Sequence, residues 1–206
     1  SGLLSKEEGL LMIEPESLEK LLHRQVRLGD NYRTLATGLP ASPGAASGKV
    51  VFDPDEAEKM GEAGEKIILV TPETTPDDIH GVLVAQGLLT ARGGMTSHAA
   101  VVARGMGKPA VCGCEAIKID KAGSCFVVNG LRIFKEDIIT INGTTGEVIL
   151  GEASLEEPQL SKETKELLRW ADDIRSLKVR ANADNKADAA KAIEFGAEGK
   201  IGRAYV

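Results

Sequence analysis

Cysteine is scarce: Cys112, Cys114 and Cys125 are the only thiols in 206 residues. They are too few and wrongly spaced for a disulfide framework, and reduced thiols packed in a core suit a reducing compartment. Cys112 and Cys114 are two apart, which puts both on one side of a strand. A tetrahedral metal site needs further ligands, however, and His98 is the only one nearby, so no metal ligand is assigned. Long apolar runs are also missing. The longest uncharged stretch, Ile79 to Arg92, is broken by His80, Gln86 and two glycines, too short and mixed to span a bilayer. Lys6, Glu7 and Glu8 stand where the apolar run of a signal peptide would lie. A basic excess is absent, because 25 Lys and Arg face 31 Asp and Glu for a net charge of −6. That balance argues against a sequence-independent nucleic-acid binder, and neither a nucleic acid nor a membrane is expected as a partner. Internal repeats and low-complexity tracts are absent as well.

What is present is the balance of a globular protein, 42% hydrophobic and 27% charged, with a length that fits one domain plus a large extension or two small domains. Acidic residues are unevenly spread. From Ile79 to Cys114 there is no Asp or Glu, while Arg92, His98, Arg104 and Lys108 lie inside. Such an island suits a place visited by an anion. It equally suits a buried strand-helix-strand core that excludes carboxylates because they are costly to bury.

Periodicity orders the chain. Glu16 to Leu28 places Leu18, Leu21, Leu22, Gln25 and Val26 near helical spacing, with Ser17 as cap, and His23 reads as a solvated surface residue of a connector. Gly38 to Gly48 is a stretch of turn formers that marks a domain start, followed by a strand at Lys49–Phe52. Asp53–Ala63 reads as an acidic helix and Lys66–Val70 as a strand. Thr75 can cap a helix opened by Pro76 and holding His80. Gly87–Thr90 reads as a strand, His98 to about Arg104 as a helix, and Pro109–Cys112 as a returning strand, which together predict an α/β unit with parallel pairing. Ile138–Leu150 reads as a hairpin. A helix around Lys162–Ile174 holding Trp170, a strand at Leu177–Ala183 and a helix at Lys186–Phe195 look like the opening of a larger α/β domain cut short.

The chemistry concentrates in Gly93-Gly94-Met95-Thr96-Ser97-His98 and the small-residue helix after it. Two glycines allow a tight turn, two hydroxyls offer caps, and the histidine enters at the first helical turn. Free N–H groups and the helix dipole at that end favour an adjacent anion and disfavour a positive charge. One geometry therefore serves a nucleophilic ring and a phosphorylated one. A local cap is the plain alternative. Serine hydrolysis fits poorly: adjacent Ser97 and His98 do not face each other, there is no G-x-S-x-G elbow, and no acid lies nearby to orient a base. Arg92 and Arg104 are candidates to steer or clamp phosphate, with Lys108 a weaker one; solvated helix-end charge is the alternative.

The run Gly93 to Gly105, with Leu39–Gly48 before it and Asn142–Leu150 after it, resembles the phosphohistidine domain of the pyruvate, phosphate dikinase family. Phosphoenolpyruvate synthase (water dikinase) and the first enzyme of the sugar phosphotransferase system share a Gly-Gly-x-Thr-x-His core. They typically carry Arg where Met95 stands and differ after the histidine, so they rank as alternatives. The resemblance implies a β/β/α swivelling domain over residues 37–155, within an α/β class of fold. Residues 1–36 would be a helical linker following an ATP-grasp domain. Residues 156–206 would be a linker helix and the first βα unit of a truncated phosphoenolpyruvate-binding TIM barrel. Lys200–Val206 departs from the family's barrel strand, which reads as truncation.

His98 would be the histidine that ATP pyrophosphorylates, that loses one phosphoryl unit to inorganic phosphate, and that then phosphorylates pyruvate, through its tele nitrogen. Gly93, Gly94, Ser97, Arg92 and Arg104 would support the phosphate. Thr96 matches the threonine that a regulatory kinase/phosphatase modifies in some members. The resemblance further implies that Mg2+ and a monovalent cation belong to the full enzyme rather than to this domain. It also implies a homodimer in a cytoplasmic setting, or a chloroplast one in a plant.

Overall fold

The computed structural model describes residues 4–14, 18, 21–27, 31–120, 122–157, 161–182, 189–190, 192–193 and 197–201. The chain divides into two compact units, residues 15–159 and residues 1–14 with 160–206.

The larger unit is built on an eight-stranded sheet. Its strands are β2 (Thr34–Thr37), β3 (Leu39–Ser42), β4 (Ala45–Val51), β5 (Ile67–Thr71), β6 (Gly87–Thr90), β7 (Ala110–Cys112), β11 (Ile138–Asn142) and β12 (Glu147–Leu150), in the order β2-β12-β11-β4-β5-β6-β7-β3. The four central strands β4 to β7 run parallel, and the flanking pairs are antiparallel. Buried on both faces, β5 is apolar throughout up to its closing Thr71 and supplies two cores. Ile67 and Leu69 face one side, with Leu88 and Cys112; Ile68 and Val70 face the other, with Leu89 and Val111.

Helices cover the first face. They are α2 (Pro54–Glu62), capped by Asp53, α3 (Ile79–Val84) and α4 (His98–Gly105). Ala99, Ala100 and Ala103 are the buried residues of α4, and such short side chains let a helix axis approach the sheet closely. Lys108 Nζ donates to the carbonyls of Leu83 (2.8 Å) and Ala85 at the end of α3, and burial pushes its ammonium pKa down. It is therefore engaged away from the His98 helix end. His80 Nε2 lies 2.9 Å from Asp55 Oδ1 in a contact between α3 and α2.

The second face is covered by a small antiparallel sheet of β8 (Lys118–Asp120), β9 (Cys125–Val128) and β10 (Leu131–Phe134). Phe126, Val128 and Ile133 enter the core there, and Phe126 meets Phe52 edge to face with ring centroids 6.4 Å apart. The unit is thus three layers, β/β/α, as the resemblance implied.

Several local expectations change. Gly38–Gly48 holds two strands rather than turns alone. β3 accommodates Pro40 because it is the edge of the sheet, where a missing N–H leaves no ladder bond unmade, and its register slips beside that residue. The helix expected over Glu16–Leu28 does not reach its end, since Gln25–Val26 form β1, antiparallel to β13 (Leu155–Glu156); residues 15–17, 19–20 and 28 lie outside the described residues. Around β1 and β13, Arg24 pairs with Glu157 (2.7 Å) and Arg27 with Glu156 (3.1 Å), and Arg27 N donates to Ser154 O. Cys112 and Cys114 do not share a side. Gly113 between them takes a φ of +60°, the strand ends, and the two thiols enter opposite cores.

In the smaller unit, α1 (Lys6–Leu11) carries a reciprocal cap between Ser5 and Glu8. It lies against α5 (Lys162–Ile174), with Lys6 Nζ 5.5 Å from the centre of the Trp170 ring. β14 (Arg180–Asn182) and β15 (Gly199–Ile201) pair in parallel, as the first strands of a βα repeat do. Most of the helix expected at Lys186–Phe195 lies outside the described residues. No described helix is long and apolar enough to cross a membrane.

Candidate functional site

The site forms at the carboxyl ends of the parallel strands, where open α/β sheets gather their ligand-binding loops. β6 ends at Thr90, and the chain turns back over the sheet edge as Ala91 N and Arg92 N donate to Thr71 O (3.1 Å) and Pro72 O (2.8 Å). Gly93 adopts a φ of +103°, a conformation costly for any residue with a Cβ. Ser97 N then donates to Gly94 O at 3.0 Å, and Ser97 becomes the N-cap of α4.

His98 is therefore the first residue of α4. Val101 N closes the first intrahelical bond to Ser97 O (3.0 Å), and Ala100 N reaches Ser97 Oγ at 3.4 Å. At this end the amides of His98 and Ala99 have no carbonyl one turn back to receive them, and no acid stands in the first turn. The imidazole is half-buried, Ser97 likewise, and Arg92, Gly93, Gly94, Met95 and Thr96 are exposed. The expected residues from Arg92 to His98 thus meet on one loop and helix end. Lys108 does not join them.

Arg104, on the last turn of α4, turns its guanidinium to main-chain carbonyls. Nε donates to Ala41 O in β3 at 2.9 Å, and Nη2 donates to Met95 O. Arg92 lines a groove of about 540 Å3 with Pro72, Ala91, Glu115 and Ile117 to Ile119, and His98 is not among its walls.

Two residues of the site escaped the sequence reading. Thr90 Oγ1 donates to Arg92 O at 2.7 Å, closing the base of the loop. Cys112, buried one strand over, ends β7 beside the end of β6. Burial pushes that thiol pKa up, opposed by the Thr90 and Ser97 hydroxyls and the Arg104 guanidinium, so it remains a thiol. The available signal was a hydroxyl or thiol closing each of two strands, but their adjacency depends on strand order.

Among the described residues no cluster of three or more His, Cys, Asp or Glu side chains is placed to hold a metal ion. The described residues do not fit a magnesium site.

The sequence profile of the PEP-utilising enzyme, mobile domain, matches residues 63–146, from the residue after α2 to the turn before β12. This region is a PEP-utilising enzyme mobile domain. It is closely related to pyruvate, phosphate dikinase. The protein of that name from Rickettsia prowazekii (strain Madrid E) is 52% identical over 197 residues, 96% of this chain and 22% of that protein. The one from Entamoeba histolytica is 51% identical over 199 residues, 96% of this chain and 22% of its own length. Pyruvate, phosphate dikinase 1, chloroplastic, of Arabidopsis thaliana is 50% identical over 200 residues, 96% of this chain and 21% of that protein. The chain spans about a fifth of the length of these relatives. The mobile domain contains the whole loop from Arg92 to Ser97, His98 and all of α4.

Proposed function

We propose that the chain is the phosphoryl-carrier segment of a pyruvate, phosphate dikinase. The full enzyme would interconvert ATP, phosphate and pyruvate with AMP, diphosphate and phosphoenolpyruvate. The observation that carries this reading is His98 opening α4, with unfilled amides beside it and no carboxylate in the first turn. The tele nitrogen, Nε2, attacks phosphorus, a P–O bond to the leaving group breaks, and the helix end stabilises the phosphoryl group now borne by the ring. A ring half-buried at a helix head, outside the adjacent groove, suits a group handed between two active sites rather than one working in its own pocket.

In this reading Gly93, Gly94, Ser97 and Arg92 support the phosphate, and Arg104 serves the same site. The partners are an ATP-grasp nucleotide domain, for which residues 1–36 are the linker, and a phosphoenolpyruvate/pyruvate barrel, which residues 156–206 begin. Residues 37–155 are the swivelling domain. Mg2+ and a monovalent cation act in those partner domains, the full enzyme is a homodimer, and its setting is cytoplasmic, with a chloroplast in plants. The buried free thiols Cys112, Cys114 and Cys125 suit a reducing compartment.

The test supplies the chain with phosphoenolpyruvate and a separate, active barrel domain and reads phosphorus NMR and mass spectrometry. An acid-labile phosphoryl group on His98 is expected; a folded chain that stays unlabelled overturns the reading. Thr96 is exposed two residues before His98, and we propose it as the position a regulatory kinase/phosphatase acts on. A carboxylate there sets like charge beside the incoming phosphoryl group. The Thr96→Glu variant is expected to lose label by about tenfold or more, and wild-type labelling would remove Thr96 from that role.

A further inference from the structure

The loop that carries His98 is held at two points, and Arg104 makes the second. At its base Thr90 Oγ1 donates to Arg92 O at 2.7 Å. Further along, Arg104 Nη2 donates to Met95 O, while Nε of the same guanidinium donates to Ala41 O at 2.9 Å. One planar group therefore ties the loop, the last turn of α4 and the edge strand β3 together. Long helical side chains point back toward the helix N-terminus, which is how a residue six positions after His98 reaches a carbonyl three positions before it.

We infer that Arg104 is a positioning residue that fixes the Met95 carbonyl, and through it the start of α4, rather than a ligand of the phosphoryl group. Two donors of a rigid fork are spent on two main-chain carbonyls from different segments. A lysine ammonium on a flexible stem is a point charge and cannot reproduce both directions at once. The two roles therefore separate by substitution. A phosphate ligand acting by charge tolerates lysine and fails with glutamine. A two-carbonyl clamp fails with both.

The inference rests on the carrier reading for one arm of its test and is independent of it in the other. In the independent arm, amide hydrogen exchange and amide chemical shifts of Met95 to Ser97 are followed in the unmodified chain for R104K and R104Q. Both variants are expected to shift the amide resonances of Met95 to Ser97 and to speed exchange of the Ser97 amide, which donates to Gly94 O, by about tenfold or more, the scale of a lost charge-assisted hydrogen bond. In the dependent arm, His98 is phosphorylated chemically with phosphoramidate and the phosphorus resonance is titrated with pH. The titration curve is expected to superimpose for the unsubstituted chain, R104K and R104Q. A curve displaced in R104Q and restored in R104K, with loop exchange unchanged, overturns the inference. Should R104Q fail to fold, R104K keeps the charge and the stem and decides alone: wild-type exchange at Ser97 overturns the clamp. If phosphoramidate leaves His98 of the unsubstituted chain unlabelled, the carrier reading fails while the exchange arm still judges Arg104.

Discussion

Replacing His98 by alanine is expected to abolish acid-labile phosphorylation of the chain, a loss of at least about a thousandfold, as removal of a nucleophile brings. Its stability should move by less than about 1 kcal/mol. The two expectations come from one geometry. His98 is half-buried at the first position of α4, and the residues that fasten this helix to the sheet are Ala99, Ala100 and Ala103. Removing the imidazole leaves those contacts intact, keeps the Ser97 cap and adds a good helix former. Thermal unfolding of the variant together with phosphorus NMR after incubation with phosphoenolpyruvate and an active barrel domain checks both. A purely structural histidine predicts the reverse pattern: label retained elsewhere and a lowered melting temperature.

The second large effect is expected from Gly113→Ala. This glycine follows β7 with a φ of +60°, and a Cβ there would stand 2.6 Å from Gly93 O. Two costs combine: an alanine in the left-handed region loses roughly 1–2 kcal/mol, and the contact is with backbone, which cannot swing aside like the end of a long side chain. The sum, on the order of 2–4 kcal/mol, lowers the melting temperature by roughly 5–15 °C. Because Gly93 is the residue displaced, label on His98 should also fall in the fraction that remains folded. Gly105→Ala is the control, since its Cβ meets nothing within 4 Å and its stability should stay within about 0.5 kcal/mol of the parent. Equal melting temperatures for the two variants would refute the argument.

The parallel core was legible because strands buried on both faces read as continuous apolar runs, as Ile67–Val70 does. The terminal hairpin was legible from Asn142–Glu147, whose register closes a short loop with the Asn142 side chain accepting from Thr144 N at 3.0 Å. The sheet β8–β10 was not assigned, although Asn129-Gly130 offered a strong hairpin signal. Val128 pairs with Leu131 across those two residues, both with positive φ. Its flanking strands are only four residues each, too short for alternation to stand out.

Pro40 hid β3, because a proline argues against a strand until the strand is known to be an edge. At the site, the loop and His98 were legible because they are contiguous in the chain. Its supports were not. Thr90 and Cys112 become neighbours only through the order of β6 and β7, and Arg104 meets Ala41 across 63 residues of sequence.

The pairing of β1 with β13 makes the larger unit resemble a cassette inserted into a host chain. Arg27 and Glu156, 129 residues apart, are drawn together, so the path into the cassette and the path out of it run along one two-stranded stalk. With the ends clasped, the loop-closure cost of everything between them is met once, at the clasp, and grows only slowly with what is enclosed.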